Sequence, residues 1–154
     1  MAARSEFWPA TLLLLDGLGL SDLARRRLAR GVVAAPQFHE NHVLSETFAF
    51  NLLMCSRWPP SEGDLNEAVE ICAELGLADL LMRMSARLMQ MVGETGWQLS
   101  HGERSRLYLA RALLQKARVV ILDESFAELD PEMLNRALQS VLERASTLMV
   151  VAHP

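Results

Sequence analysis

The chain has 154 residues, a net charge of −4 and a 51% hydrophobic composition. This length suits one domain with a sizeable core, and the composition excludes a disordered chain. The acidic balance gives no support to nucleic-acid binding, so no nucleic-acid partner is expected. The chain has two cysteines. Cys55 and Cys72 both fall in apolar helical patterns and read as buried thiols rather than a disulfide or metal pair, which fits a reducing, cytosolic compartment. No apolar run approaches the roughly 18 residues of a spanning helix, and the N-terminus, with Glu6, does not have the form of a signal peptide.

In chain order, residues 1–10 read as a linker or scar. Thr11 to Leu15 is a β-like apolar run closed by the turn signal Asp16-Gly17. Ser21 can cap a short helix through Arg25, Arg26, Arg27 and Arg30, whose charges suit a solvated face, and Gly31 ends it. Val32 to Ala35 reads as a short buried strand stopped by Pro36, with Gln37 at its C-terminal end.

From Ser45 to about Met91 the pattern is helical. Ser45-Glu46-Thr47 starts one helix, with Phe48, Leu52 and Cys55 near one face, and Pro59-Pro60-Ser61 breaks it. Asp64 to Leu75 gives a second, with Leu65, Val69, Cys72 and Leu75 at core spacing, and Gly76 closes it. A third segment, rich in methionine at Met82, Met84, Met89 and Met91, reads as adaptable core packing. Gly93 and Gly96 bracket a loop. Ser100 caps a helix to about Lys116, and Arg118 to Leu122 is a buried strand. Pro131 opens a further helix, and Thr147 to Ala152 reads as a last buried strand. Strands alternating with helices imply a parallel sheet interrupted by a helical insertion.

Two stretches carry the chemistry. Val119-Val120-Ile121-Leu122 delivers Asp123-Glu124 to the C-terminal end of a strand, where open α/β sheets bind ligands. An aspartate there can hold Mg²⁺, usually through water, and the next carboxylate can polarise a water attacking a γ-phosphate. Leu99-Ser100-His101-Gly102-Glu103 places serine and glycine at a helix start, where backbone N–H groups and the helix dipole form an anion site. The same residues read equally as an N-cap, with Ser100 and Glu103 as a capping box, and both readings can hold together.

With Arg106 to Ala112 between these stretches, residues Thr11 to Pro154 resemble the nucleotide-binding domain of ABC transporters. The resembling region runs from just after the Walker A helix to the switch histidine. The resemblance implies an α/β fold: an incomplete P-loop NTPase-type parallel sheet with an ABC α-helical subdomain. It divides the chain into a partial ATPase core at 11–40, the helical subdomain at 41–98, and the signature helix, Walker B, D-loop and switch-histidine strand at 99–154. It implies ATP and Mg²⁺ as cofactors, a second nucleotide-binding domain and a transmembrane domain as partners, and a place at the cytoplasmic face of the inner or plasma membrane.

By the same resemblance, Gln37 is the Q-loop glutamine, touching Mg²⁺ or the attacking water. Ser100 and Gly102 contact the γ-phosphate held by the opposite subunit, with His101 and Glu103 in the same motif. Asp123 serves the metal and Glu124 is the catalytic base. Asp130, in Ala127-Glu128-Leu129-Asp130, lies at the dimer seam, and His153 senses the γ-phosphate. Met91 to Gly96 resembles the X-loop of ABC exporters, and Val43 to Asn51 the exporter stretch after the Q-loop. Asp123-Glu124-Ser125-Phe126 is closer to the exporter than to the importer pattern. An exporter-like cassette follows, for peptides or lipids.

Two residues depart from the family pattern: His101 replaces a glycine, and Glu103 replaces glutamine. His101 could crowd the phosphate, add a donor to it, or make the site pH-dependent. No Gly-x-x-x-x-Gly-Lys-Ser/Thr loop occurs, and Lys116 is the only lysine. A phosphate loop works by wrapping N–H groups and a lysine round the β- and γ-phosphates, so the chain is expected to be a fragment that is inactive alone. An exposed sheet edge and an uncovered apolar face should follow, leaving the isolated chain marginally stable or self-associating. The alternatives are a non-catalytic interaction module and a soluble ABC ATPase of repair or translation.

Overall fold

A computed structural model describes residues 14–15, 18–19, 31–35, 42–54, 56–123, 126 and 128–151; residues 14, 15, 18, 19, 34, 35 and 123 are described through their backbone alone. The strands are β1 (Leu14–Leu15), β2 (Leu18–Gly19), β3 (Val32–Ala35), β4 (Val119–Asp123) and β5 (Leu148–Val151). The helices are α1 (Phe48–Leu53), α2 (Glu62–Glu74), α3 (Ala78–Arg83), α4 (His101–Leu114) and α5 (Pro131–Arg144), with a 3₁₀ turn at Arg87–Met89. The result is α/β, with a helical segment inserted between neighbouring parallel strands. The region proposed to hold the Ser21 helix lies outside the described residues.

The parallel sheet has the order β3-β4-β5. Val32 pairs with Val119 and Ala35 with Leu122, while Val120 pairs with Leu148 and Asp123 with Val151. Parallel pairing in this register brings the C-terminal ends of the three strands to one edge of the sheet. The start of the chain forms a separate pair: Leu14–Leu15, the end of the expected β-like run, pairs antiparallel with Leu18–Gly19. The Asp-Gly dipeptide between them is a strong two-residue hairpin signal, so the local partner wins.

Caps set the helix boundaries. The Thr47 hydroxyl accepts from the Phe50 N–H at 3.1 Å to start α1. Ser61 and Asp64 close a reciprocal capping box on α2, and Gly76, with φ of +69°, lets the chain leave that helix in a left-handed conformation. Pro131 opens α5, where its missing N–H costs nothing. Helix α4 packs against α1, α2, α5 and β3. Leu107, Leu109 and Ala110 are fully buried on its successive faces, as a helix enclosed on several sides requires.

Three apolar expectations need correction. Val69 is 44% exposed, and α2 buries Ala68, Ile71 and Cys72 instead. One step along the helix turns Ala68 into the core and Val69 toward solvent. Of the four methionines, only Met84 is core; Met82, Met89 and Met91 are exposed. β5 is not a buried strand: Met149, Val150 and Val151 are exposed, and among the described residues β5 is hydrogen-bonded on one side only. An apolar run shows that a strand suits burial, whereas its cover depends on what packs there. Cys72 is buried, and desolvation pushes its thiol up to about 12, as for an inert core cysteine; Cys55 lies outside the described residues.

Candidate functional site

The site begins at the first turn of α4. Ser100 caps the helix in an extended conformation, its hydroxyl accepting from the Glu103 N–H at 3.2 Å. Glu103 returns the bond, its Oε2 accepting from the Ser100 N–H at 2.8 Å. This is the capping box read from the sequence. His101 and Gly102 occupy the first two helical positions, at the positive end of the helix dipole.

The turn before α5 lies against this helix start. A Cβ added at Gly102 would come within 3.3 Å of the Glu128 carbonyl oxygen, so glycine permits the approach of two backbones. His101 Nδ1 lies 3.8 Å from Glu128 Oε2 across the same contact. Two residues on, Asp130 caps α5 by accepting from the Glu132 and Met133 N–H groups at 3.1 and 3.0 Å. Asp130 therefore has a structural role alongside the seam position expected for it. Arg106, one turn into α4, donates to the Gly102 carbonyl at 3.0 Å and to the Gly76 carbonyl at 2.6 Å. It ties the helix start to the end of α2.

Glu103 is the charged centre of this turn, with its side chain only 11% exposed. Burial pushes its carboxyl up, but the Ser100 N–H, the Arg83 guanidinium and the Ser100 hydroxyl outweigh burial and hold it below the usual glutamate range. Its contribution to stability is therefore complete above the ordinary glutamate value of about 4.3 and is lost as pH falls through the lowered folded value. In urea unfolding between pH 7 and pH 3, the wild-type midpoint should fall more steeply than that of Glu103→Gln. Parallel acid limbs would show that Glu103 is not linked to folding.

The two stretches read as exporter-like meet in space. Phe48 N–H donates to the Gln90 carbonyl and Val92 N–H to the Glu46 carbonyl, both at 2.9 Å. Gly93 turns with φ of +90°, and an added Cβ would come within 2.8 Å of the Leu44 carbonyl oxygen. Asn51, fully buried, supports this junction. Its Oδ1 accepts from the Leu44 N–H, and its Nδ2 donates to the Leu44 and Thr47 carbonyls.

Asp123 closes β4 at the sheet edge shared with the ends of β3 and β5. Gln37, Glu124 and His153 follow those three strand ends in sequence but lie outside the described residues. Among the described residues, no group of three or more His, Cys, Asp or Glu could hold a metal ion. A single strand-end carboxylate still fits Mg²⁺ that is otherwise bound by phosphate and water. Sequence reasoning overlooked Arg83 and Glu128. Arg83 lies 20 residues before its partner Glu103, beyond any local pattern, whereas Glu128 lies within the Ala127–Asp130 stretch already singled out.

A three-stranded parallel sheet whose central strand ends in Asp123, with a helical segment inserted between neighbouring strands, defines an α/β protein. The family described as ABC transporter matches residues 10–127. The chain belongs to the ABC transporter family. It is 38% identical over 144 residues to the ATP-dependent lipid A-core flippase of Photobacterium profundum, covering 92% of this chain and 24% of that protein. It is 35% identical over 149 residues to the protein of the same description from Aromatoleum aromaticum, covering 92% and 23%. The chain thus spans about a quarter of the length of these curated relatives. The structure also resembles that of a bacterial Atm1-family ABC exporter with ATP bound, with a TM-score of 0.78 and 24% identity over 92% of this chain and 24% of that one. That likeness bears on the fold. No helix among the described residues is long and apolar enough to cross a membrane.

Proposed function

We propose that this chain is part of an exporter-type ATP-hydrolysing cassette, working at the cytoplasmic face of a membrane with a second cassette and a transmembrane domain. The observation that supports it most is the sheet register, which aligns the ends of β3, β4 and β5 on one edge. Gln37, Glu124 and His153 follow those ends in sequence, within one or two residues. Asp123 would hold Mg²⁺, which neutralises phosphate charge when bound. Glu124 takes a proton from the attacking water as general base, Gln37 orients that water or the ion, and His153 contacts the γ-phosphate. Ser100 and the N–H groups of His101 and Gly102 complete the partner's site, with Asp130 at the seam. The relatives described as lipid A-core flippases favour a lipid-like cargo, recognised by the membrane domain.

Binding and hydrolysis of Mg-ATP by this chain alone, with Glu124→Gln as control, test the reading. The sequence contains no phosphate loop, and neither activity is expected without one. Hydrolysis that depends on Glu124 would show that these residues grip phosphate themselves, and the proposed division of labour would fall.

A further inference from the structure

We infer that Arg83 is a positioning residue, which through Glu103 fixes and electrically neutralises the helix start that meets phosphate. The inference deepens the function proposed above and rests on it. Glu103 is held from two sides: Oε2 by the Ser100 N–H, and Oε1 by the Arg83 guanidinium in an ion pair. Arg83 ends α3, whose Leu80 and Leu81 are buried, and the next residue, Met84, is buried as well. The base of its side chain is thus anchored while 56% of the side chain remains in water. The guanidinium reaches inward from the surface with little desolvation of its own.

A carboxylate at position 103 brings two opposing effects. It completes the capping box and suits the positive end of the helix. It also sets a negative charge, itself buried, within two residues of the N–H groups that would receive a phosphate, and like charges that close repel. Arg83 resolves the conflict by cancelling the charge and fixing the carboxylate so that the Ser100 cap stays formed. A glutamine at 103 could accept from the Ser100 N–H without any charge to cancel. Arg83 and the carboxylate therefore belong together, and the need for Arg83 should vanish with the charge.

The test is a double-mutant cycle on Mg-ATP turnover in the assembled ATPase that contains this chain. Arg83→Met should raise KM for Mg-ATP by roughly ten-fold with a smaller change in kcat, the size expected from one lost charge-assisted hydrogen bond. Arg83→Lys, which keeps the charge, should recover most of the loss. Starting from Glu103→Gln, the same Arg83→Met change should move KM less than about two-fold. Hydrogen exchange at the Glu103 amide supplies a nucleotide-free readout, which should quicken in Arg83→Met and not in Arg83→Lys. Ser100→Arg serves as the control on the site itself. If it leaves turnover unchanged, the shared-site reading fails and the Arg83 inference fails with it. If Ser100→Arg abolishes turnover but Arg83→Met acts equally with and without the Glu103 carboxylate, the inference alone is overturned.

Discussion

Replacing Glu124 with glutamine is expected to reduce ATP turnover of the assembled cassette by about 100-fold or more, the usual contribution of a positioned general base, while Mg-ATP binding survives. Glutamine keeps the size and a hydrogen-bonding oxygen but cannot take a proton. The adjoining Asp123, at the end of β4 in register with Val151, would still serve the metal. Under the proposed assignment phosphate and Mg²⁺ are held by other groups, so binding should persist and the variant should accumulate with nucleotide bound. A single-turnover measurement with a parallel binding titration separates the two effects. Residual hydrolysis within about ten-fold of wild type would remove Glu124 from the role of base.

Replacing Asn51 with alanine is expected to cost about 3 kcal/mol, from three lost hydrogen bonds at roughly 1 kcal/mol each. The buried amide accepts from the Leu44 N–H at 2.9 Å and donates to the Leu44 and Thr47 carbonyls at 3.0 and 3.1 Å. Its own backbone carbonyl accepts from Arg111 Nε at 2.7 Å, which joins α1 to α4. Loss of the side chain therefore frees the 43–47 segment from α1 before it disturbs α4. Urea unfolding gives the size of the effect. Hydrogen exchange should show where it falls, with the Val92 and Phe48 amides exchanging faster because their acceptors belong to the loosened junction. A cost below about 1 kcal/mol would mean that the junction is held by other contacts.

Local signals were legible wherever the deciding physics was local. Ser100 followed by Glu103, Pro131, and Gly76 each fixed a helix end, because a cap is satisfied within a few residues; Ser61, read as part of a break before a helix beginning at Asp64, is instead the N-cap of α2. The apolar runs at Val32–Ala35 and Val119–Leu122 gave two strands of the parallel sheet, and the spacing from the Ser100 motif to Asp123 identified the family. Periodicity was less secure. Val69 and Ala68 differ by one position and both fit an apolar stripe, and the packing around α2 buries Ala68 and exposes Val69. Met82 and Met84 look alike in sequence, yet one is exposed and the other is core.

The sequence by itself determined the Ser100–Glu103 cap, the order of strands and helices in the parallel sheet, and the family to which the chain belongs. These depend on residue type and short spacing. Only the tertiary structure decided that Arg83 meets Glu103, that Gly102 meets the Glu128 backbone, that the 43–51 and 91–96 stretches share one junction through Asn51, and that β5 presents its apolar residues to solvent. Each of these joins or separates groups distant along the chain. Their partners are set by how helices and strands pack against one another, and the cost of bringing such segments together is met by the whole core rather than by any local pattern.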